Sequence, residues 1–201
     1  MIKAVLFDFG GVLSEAGGAG SIRRIFQKVY GMDMEAMHIE DISQKMWEGR
    51  IADDVFLAEI KRRWPDTPGI TPDEFRTHME AFTRSEPVYR FAEQLRTEGI
   101  KTAILSNVFG IGLAPIQDGG FYEGFAPVIL SCKVGVAKPD PAIYDLALRE
   151  LALMPHEIIF IDDQQGFLDP AVQKGMHTVL ARNPEQIVTD TLQIIKGQQA
   201  V

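Results

Sequence analysis

Four groups of polar residues recur along this sequence, each placed after an apolar run or just before a helical pattern. They are Asp8, Ser106-Asn107, Lys138-Pro139-Asp140 and Asp162-Asp163. In an open parallel sheet, ligands bind beyond the carboxyl ends of the strands, and such residues would be gathered there. Carboxylates, an amine and a hydroxyl at one edge form a set able to bind a small ligand and act on it. Each group alone is equally typical of a turn or a helix cap; the four together are much more specific.

The first group shows the pattern most clearly. The apolar run Ala4–Phe7 ends at Asp8, and Gly10 and Gly11 follow at once. A short apolar run bounded by turn residues predicts a strand buried on both faces. The glycines allow the chain to turn away and a ligand to approach the backbone closely. Asp8 is therefore predicted at the edge of the sheet.

Short apolar runs alternate with helical patterns through the rest of the chain. Further strands are predicted at residues 102–105, 128–130, 158–161 and 178–181. Strands separated by helices predict right-handed βαβ units and a parallel sheet covered on both faces. The predicted fold class is therefore α/β, with a Rossmann-like doubly wound parallel sheet as its core.

The segment between the first and second strands has helical patterning alone. Helices are predicted at residues 22–29, 34–47 and 53–64, and a fourth begins after Thr71. Thr71 as N-cap, Pro72 at the first position and Glu74 completing a capping box form a strong start signal. A small helical lobe is therefore predicted inside the α/β unit.

The change in patterning sets the predicted lobe boundaries. Residues 1–14 and 85–201 are expected to form the catalytic core, and residues 15–84 an α-helical cap. A chain of 201 residues is long enough for one domain with a modest insertion.

Composition narrows the class of protein. A formal net charge of −8 argues against nucleic-acid binding and against docking on anionic membranes. The single cysteine, Cys132, excludes an intramolecular disulfide. No apolar run approaches the roughly 18 residues of a membrane span, and the N-terminus lacks the shape of a signal peptide. We therefore expect a cytoplasmic protein.

The polar groups and their flanks resemble the four motifs of the haloacid dehalogenase-like (HAD) hydrolase superfamily, over essentially the whole chain. They read Phe7-Asp8-Phe9-Gly10-Gly11-Val12-Leu13, Leu105-Ser106-Asn107, Lys138-Pro139-Asp140-Pro141-Ala142-Ile143-Tyr144 and Phe160-Ile161-Asp162-Asp163. The helical insert between the first two motifs resembles the subclass with an α-helical cap. The resemblance implies a hydrolase, specifically a phosphatase that uses Mg²⁺ on a small phosphorylated substrate.

The resemblance also implies roles for the acidic motifs. Asp8 would attack phosphorus with one carboxylate oxygen, forming an aspartyl-phosphate, and ligate the metal with the other. Asp163 would be a metal ligand, with Asp162 as a ligand or its supporting neighbour. Gly10 would ligate the metal through its backbone carbonyl. Oxygen-only coordination of this kind suits Mg²⁺.

The remaining motif residues would bind the phosphoryl group. Lys138 would hold Asp8 in place and offset developing negative charge. The hydroxyl of Ser106 and the backbone amide of Asn107 would hydrogen-bond the phosphoryl oxygens. The resemblance thus places Asp8, Lys138 and Ser106 in catalysis, and Ser106, Asn107 and Lys138 in substrate binding.

Gly10 departs from the motif of most similar phosphatases, which have a second aspartate at this position. That residue protonates the leaving oxygen and then activates water. Losing a general acid typically costs about 10²- to 10⁴-fold in rate. One interpretation is a phosphatase that has another proton source or a substrate whose leaving group needs little protonation. The resemblance implies sugar-phosphate-like substrates for the second case, because a branch of the family with glycine at this position acts on them.

Two other interpretations remain open. A haloacid dehalogenase-like or phosphonatase-like enzyme would break a carbon–halogen or carbon–phosphorus bond, but the retained Asp162-Asp163 pair and the lack of a distinctive cap lysine weigh against it. A non-catalytic phosphate-binding or regulatory module is disfavoured by the intact Asp8, Lys138 and Asp163. Substrate identity, the contacting cap residues and the oligomeric state do not follow from the sequence.

Overall fold

The computed structural model describes residues 1–198, which contain one five-stranded parallel sheet in the order β3-β2-β1-β4-β5. The strands are β1 (Ala4–Phe7), β2 (Lys101–Ser106), β3 (Val128–Leu130), β4 (Ile158–Asp162) and β5 (His177–Leu180). The first strand lies at the centre, paired in parallel with β2 on one side and β4 on the other. This order defines a doubly wound α/β fold, as predicted. Residues 199–201, the end of the predicted core, lie outside the described residues.

Ten α-helices accompany the sheet in the described part of the chain. They are α1 (Ala19–Tyr30), α2 (Glu40–Trp47), α3 (Asp53–Arg63), α4 (Pro72–Thr77), α5 (Glu86–Thr97), α6 (Gly110–Asp118), α7 (Ser131–Val134), α8 (Pro141–Leu151), α9 (Gln165–Gln173) and α10 (Pro184–Gly197). The first four lie between β1 and β2, where the helical insert is predicted. Among residues 1–198, no helix has the length and hydrophobicity that a membrane span needs.

The sheet is buried on both faces, because successive side chains of a strand point to opposite sides. Phe7 packs on one face, in a cluster with Leu95 of α5 and Ile195 of α10. Its neighbour Leu6 packs on the other, in a cluster with Tyr144 of α8. The unbroken apolar run of β1 is therefore the pattern of a strand covered on both sides.

Helices α1–α4 enclose an apolar cluster of their own. The ring of Phe26 lies 6.3 Å from that of Phe56 and 6.1 Å from that of Phe75, measured between centroids. Phe109 and Ile111, at the start of α6, complete the cluster. The helical lobe therefore has a separate core that rests on α6, and α6 follows directly from the end of β2.

Asp53, at the start of α3, also links the helical lobe to α6. The backbone amides of Gly110 and Ile111 donate hydrogen bonds to its carboxylate. The carboxylate thus pairs N–H groups at the start of α6 that have no acceptor within the helix. Burial raises the pKa of Asp53, although these hydrogen bonds act in the opposite direction. A Cβ at position 110 would lie 2.3 Å from Asp53 Oδ2, so glycine makes room for this contact.

The single helix predicted at residues 34–47 is wrong in its first part. Residues 34–38 form turns, and α2 begins only at Glu40. His38 has a φ of 43°, a left-handed conformation that an α-helix does not accommodate. The apolar residues of this region reach the core of the helical lobe from two short segments, the turns at residues 34–38 and α2, and not from one continuous helix.

Helix α6 is not predicted by the sequence. It contains Gly110, Gly112 and Pro115, residue types that disfavour a helix interior. Its buried positions also follow one another at Ile111, Gly112 and Leu113, so no amphipathic period is visible. The helix is stabilised by the elements around it, because the helical lobe packs on one side and the sheet on the other.

Candidate active site

The structure brings the four predicted groups together at the carboxyl edge of the sheet. Asp8 follows β1 directly, and Ser106 and Asp162 are the last residues of β2 and β4. Lys138 comes from the loop before α8. Asp8, Lys138 and Asp162 are only 6%, 2% and 0% exposed. Ionisable groups buried this deeply require partners, and the site supplies them.

Lys138 lies between two carboxylates. Its Nζ is 2.9 Å from Asp8 Oδ1 and 2.6 Å from Asp162 Oδ2. Burial alone would lower the pKa of Lys138, but the two carboxylates outweigh it, and the pKa is raised. The rings of Phe160 and Phe167, 5.4 and 5.0 Å from Nζ, add cation–π contacts. Lys138 is therefore held as a cation against Asp8.

The side chain of Asn107 fixes the backbone of Lys138. Asn107 Nδ2 donates to the carbonyl of Lys138 at 2.9 Å, and the amide of Lys138 donates back to Asn107 Oδ1 at 2.9 Å. The sequence predicts a role only for the backbone amide of Asn107. This second role joins residues 31 positions apart, and no local pattern in the sequence indicates it.

Three carboxylates converge beside Lys138. Oxygens of Asp8, Asp162 and Asp163 all lie within 4.8 Å of one another. Burial raises the pKa of Asp162, while Lys138 opposes the shift. Because these three acids face one lysine, the site has excess negative charge when all are ionised. An oxygen-only donor set with that excess fits a divalent cation such as Mg²⁺.

Gly10 lies under the backbone of the glycine-rich segment that follows the first motif. A Cβ at position 10 would lie 2.0 Å from the carbonyl oxygen of Gly17. Gly11 and Gly18 lie against the Asp163 side chain, since a Cβ at either would lie 2.6 or 2.8 Å from Asp163 Oδ2. The space that a side chain at position 10 would need is therefore already filled by main chain.

Gly10→Ala is expected to lower the free energy of unfolding by about 1–3 kcal/mol, because its methyl group would overlap the Gly17 carbonyl. Gly166→Ala is the matched control. Gly166 lies in α9, and no atom beyond its chain neighbours and its own helix backbone comes within 4 Å of the place that an added methyl group would take. Alanine there should therefore maintain or slightly raise stability. Urea denaturation compares the two variants. Equal stability of Gly10→Ala and wild type would contradict this packing.

A cavity of about 290 Å³ lies above the polar residues and is closed on its far side by the helical lobe. Asp8, Ser106 and Lys138 line its floor. Trp47 contributes to the opposite wall, with its ring edge-on to Phe109 at 4.9 Å. A pocket of this size is at the lower end of those that hold small ligands, about 300–1,000 Å³. The cavity therefore has room for a small molecule.

A family model for haloacid dehalogenase-like hydrolases matches residues 2–165 of the chain. The chain belongs to this family. It is a hydrolase with an α/β core and a small α-helical cap, formed here by the helical lobe.

Known proteins of similar sequence are of several kinds. The chain is 30% identical to mouse acyl-CoA dehydrogenase family member 10 over 94% of its length, and 33% identical to pig bifunctional epoxide hydrolase 2 over 72%. It spans only 18% and 28% of those two proteins. It is also 23% identical to the D-ribitol-5-phosphate phosphatase of Bacteroides thetaiotaomicron, covering 91% of this chain and 93% of that protein. Its relatives thus include phosphatases of similar length.

Solved structures share the fold. A HAD-like hydrolase from Porphyromonas gingivalis superposes with a TM-score of 0.77 at 24% identity, over 97% of this chain and 98% of that one. A HAD family enzyme of Bacteroides thetaiotaomicron, solved as a magnesium complex, gives 0.72 at 20% identity, over 90% and 94%. The L-2-haloacid dehalogenase RSc1362 gives 0.60 at 21% identity, over 88% and 85%. At these identities the likeness concerns the fold alone.

Proposed function

We propose that this chain is a Mg²⁺-dependent phosphatase that hydrolyses a small phosphomonoester through an aspartyl-phosphate on Asp8. The observation that carries the proposal is the Asp8 carboxylate held by Lys138 at 2.9 Å, beside two further carboxylates, at the base of a cavity between the sheet edge and the helical lobe. Phosphatases among the relatives support the reaction class.

Asp8 is the nucleophile in this proposal. Its contact with Lys138 fixes the carboxylate, so that attack requires little reorganisation. An Asp8 oxygen forms a bond to phosphorus while the bond between phosphorus and the leaving oxygen breaks. The Ser106 hydroxyl and the Asn107 amide donate to the phosphoryl oxygens, and the Lys138 ammonium offsets their charge.

Asp8, Asp162, Asp163 and the carbonyl of Gly10 would hold Mg²⁺. When bound, the ion would neutralise charge on the phosphoryl oxygens, which otherwise repel an attacking carboxylate. The hydrogen bond from the Gln164 amide to Asp162 Oδ1, at 2.8 Å, fixes the orientation of that carboxylate. The four groups thus come from the end of β4 and from the residues that follow β1 and β4.

The second half of the reaction regenerates Asp8. Water attacks phosphorus, the bond between phosphorus and the Asp8 oxygen breaks, and inorganic phosphate leaves. In the first half, the departing alkoxide takes its proton from solvent, because Gly10 has no acid to supply. The rate is therefore expected to depend strongly on how well the leaving group departs.

Two alternatives are less well supported. The fold is shared with L-2-haloacid dehalogenases, yet the excess of carboxylates around Asp8 favours a cation site. A non-catalytic phosphate-binding module would not need Asp8 buried against Lys138. A cytoplasmic location, a phosphorylated small-molecule substrate and the absence of nucleic-acid or membrane partners remain predictions from the sequence.

Removal of the metal tests the proposal. With a panel of phosphomonoesters that includes p-nitrophenyl phosphate, we expect phosphate release with Mg²⁺ and its loss in EDTA, restored by excess Mg²⁺. A haloacid assayed in parallel should release no halide. Turnover that is indifferent to EDTA, or halide release without phosphatase activity, would reject a Mg²⁺-dependent phosphatase.

A further inference from the structure

The cap wall of the cavity is formed largely by apolar side chains that the protein itself covers only in part. They are Ile22, Met34, Trp47, Met79 and Phe82, all half-buried and all lining the cavity. The most exposed large apolar residues of the described chain, such as Val55, Met154 and Val172, are scattered over the surface. Single exposed apolar residues are ordinary, whereas a concave cluster marks a binding surface.

The charges of this wall do not suit a second anionic group on the substrate. Arg23, which lines the cavity, is paired with Glu35 at 2.6 Å. Glu40 and Glu80 also line it; Glu80 is ion-paired with Arg24 at 3.0 Å, so the Glu40 carboxylate is the one left in excess at this wall. A carboxylate or second phosphate on the organic part of the substrate would meet net negative charge at this wall.

The hydroxyl groups of the wall already have partners. Ser43 Oγ donates to a backbone carbonyl within its own helix at 3.2 Å. The Ser21 side chain hydrogen-bonds the Glu80 carboxylate. A polyhydroxylated substrate would lose hydrogen bonds to water here and recover few, which costs binding energy. The wall therefore disfavours the sugar-phosphate-like substrate expected from Gly10.

We propose that the substrate is the phosphate monoester of an apolar alcohol, whose organic part packs against Ile22, Met34, Trp47, Met79 and Phe82. This inference rests on the proposed phosphatase function and specifies its substrate. The phosphate would occupy the polar floor, beside Lys138 and Ser106. The alkyl group would cover the apolar wall and displace water from it.

A series of linear alkyl phosphates isolates this contact, because ethyl, butyl, hexyl and octyl phosphate share the same kind of leaving oxygen. With Mg²⁺ present, we expect kcat/KM to rise by up to about fourfold per methylene until the cavity is filled. Ribose 5-phosphate, also the ester of a primary alcohol, should be turned over at least about tenfold less efficiently than hexyl phosphate.

Polar substitutions in the apolar wall provide a second test of the same contact. Met34→Gln and Met79→Gln conserve side-chain length at half-buried positions, and both should reduce kcat/KM for octyl phosphate by about tenfold and flatten the chain-length series. Met154→Gln is the matched control, since Met154 is 60% exposed and does not line the cavity. It should leave the series unchanged.

The outcomes separate the substrate class from the function. An active enzyme with a flat chain-length series, or one that prefers ribose 5-phosphate, would overturn the apolar substrate and leave the phosphatase intact. Failure to release phosphate from any ester with Mg²⁺, p-nitrophenyl phosphate included, would overturn the proposed function and the inference with it.

Discussion

Asp8→Asn is expected to reduce phosphate release by about 10⁴-fold or more, because an amide cannot attack phosphorus as a carboxylate does. Asparagine has nearly the same size as aspartate, and Lys138 retains its 2.6 Å contact with Asp162. The fold should therefore persist. The measurement is initial-rate phosphate release with Mg²⁺, supported by circular dichroism of the variant.

Asp118→Asn is the matched control for this variant. Asp118 is exposed at the end of α6 and does not line the cavity, so its substitution should leave activity within about twofold. If Asp8→Asn retained activity within tenfold of wild type, Asp8 would not be the nucleophile.

Lys138→Gln is expected to affect both activity and stability. Removing the ammonium leaves the Asp8 and Asp162 carboxylates buried without their cation, which typically costs about 3–5 kcal/mol of folding free energy. Activity should fall by about 10²- to 10³-fold, because the charge on the phosphoryl group is no longer offset. Urea denaturation and phosphate release, the latter under conditions where the variant is folded, measure the two effects.

Lys133→Gln is the corresponding control, since Lys133 is exposed on α7. Its effect on stability should lie within about 0.5 kcal/mol. A Lys138→Gln protein as stable as wild type would mean that the buried ion pairs with Asp8 and Asp162 contribute nothing to folding. Full activity in that variant would remove Lys138 from the catalytic site.

The sheet and the position of the motifs could be predicted because both depend on local patterns. A buried parallel strand is read from a short apolar run, and the residue after it must lie at the carboxyl edge. Asp8, Ser106 and Asp162 follow this rule. Helix starts such as Thr71-Pro72 are likewise local, and the capping box is present as predicted.

The rest of the site depends on contacts between distant residues. The Asn107 side chain contacts Lys138 only because β2 and the loop before α8 meet in the fold. Gly10 is a turn glycine in sequence terms, but its Cα also faces the Gly17 carbonyl. The residues of the apolar wall come from α1, α2 and two connecting segments. Because they do not lie on one helix, no periodic pattern in the sequence predicts the wall.

The most direct test of the proposed mechanism is to trap phosphate on Asp8. Turnover is stopped by rapid acid quench, and borohydride then reduces any acyl phosphate to an alcohol, which converts the aspartate into homoserine. We expect peptide mass spectrometry to find homoserine at position 8 when phosphomonoester and Mg²⁺ are both present, and aspartate when either is omitted. Vigorous turnover with position 8 recovered only as aspartate would contradict covalent catalysis by Asp8.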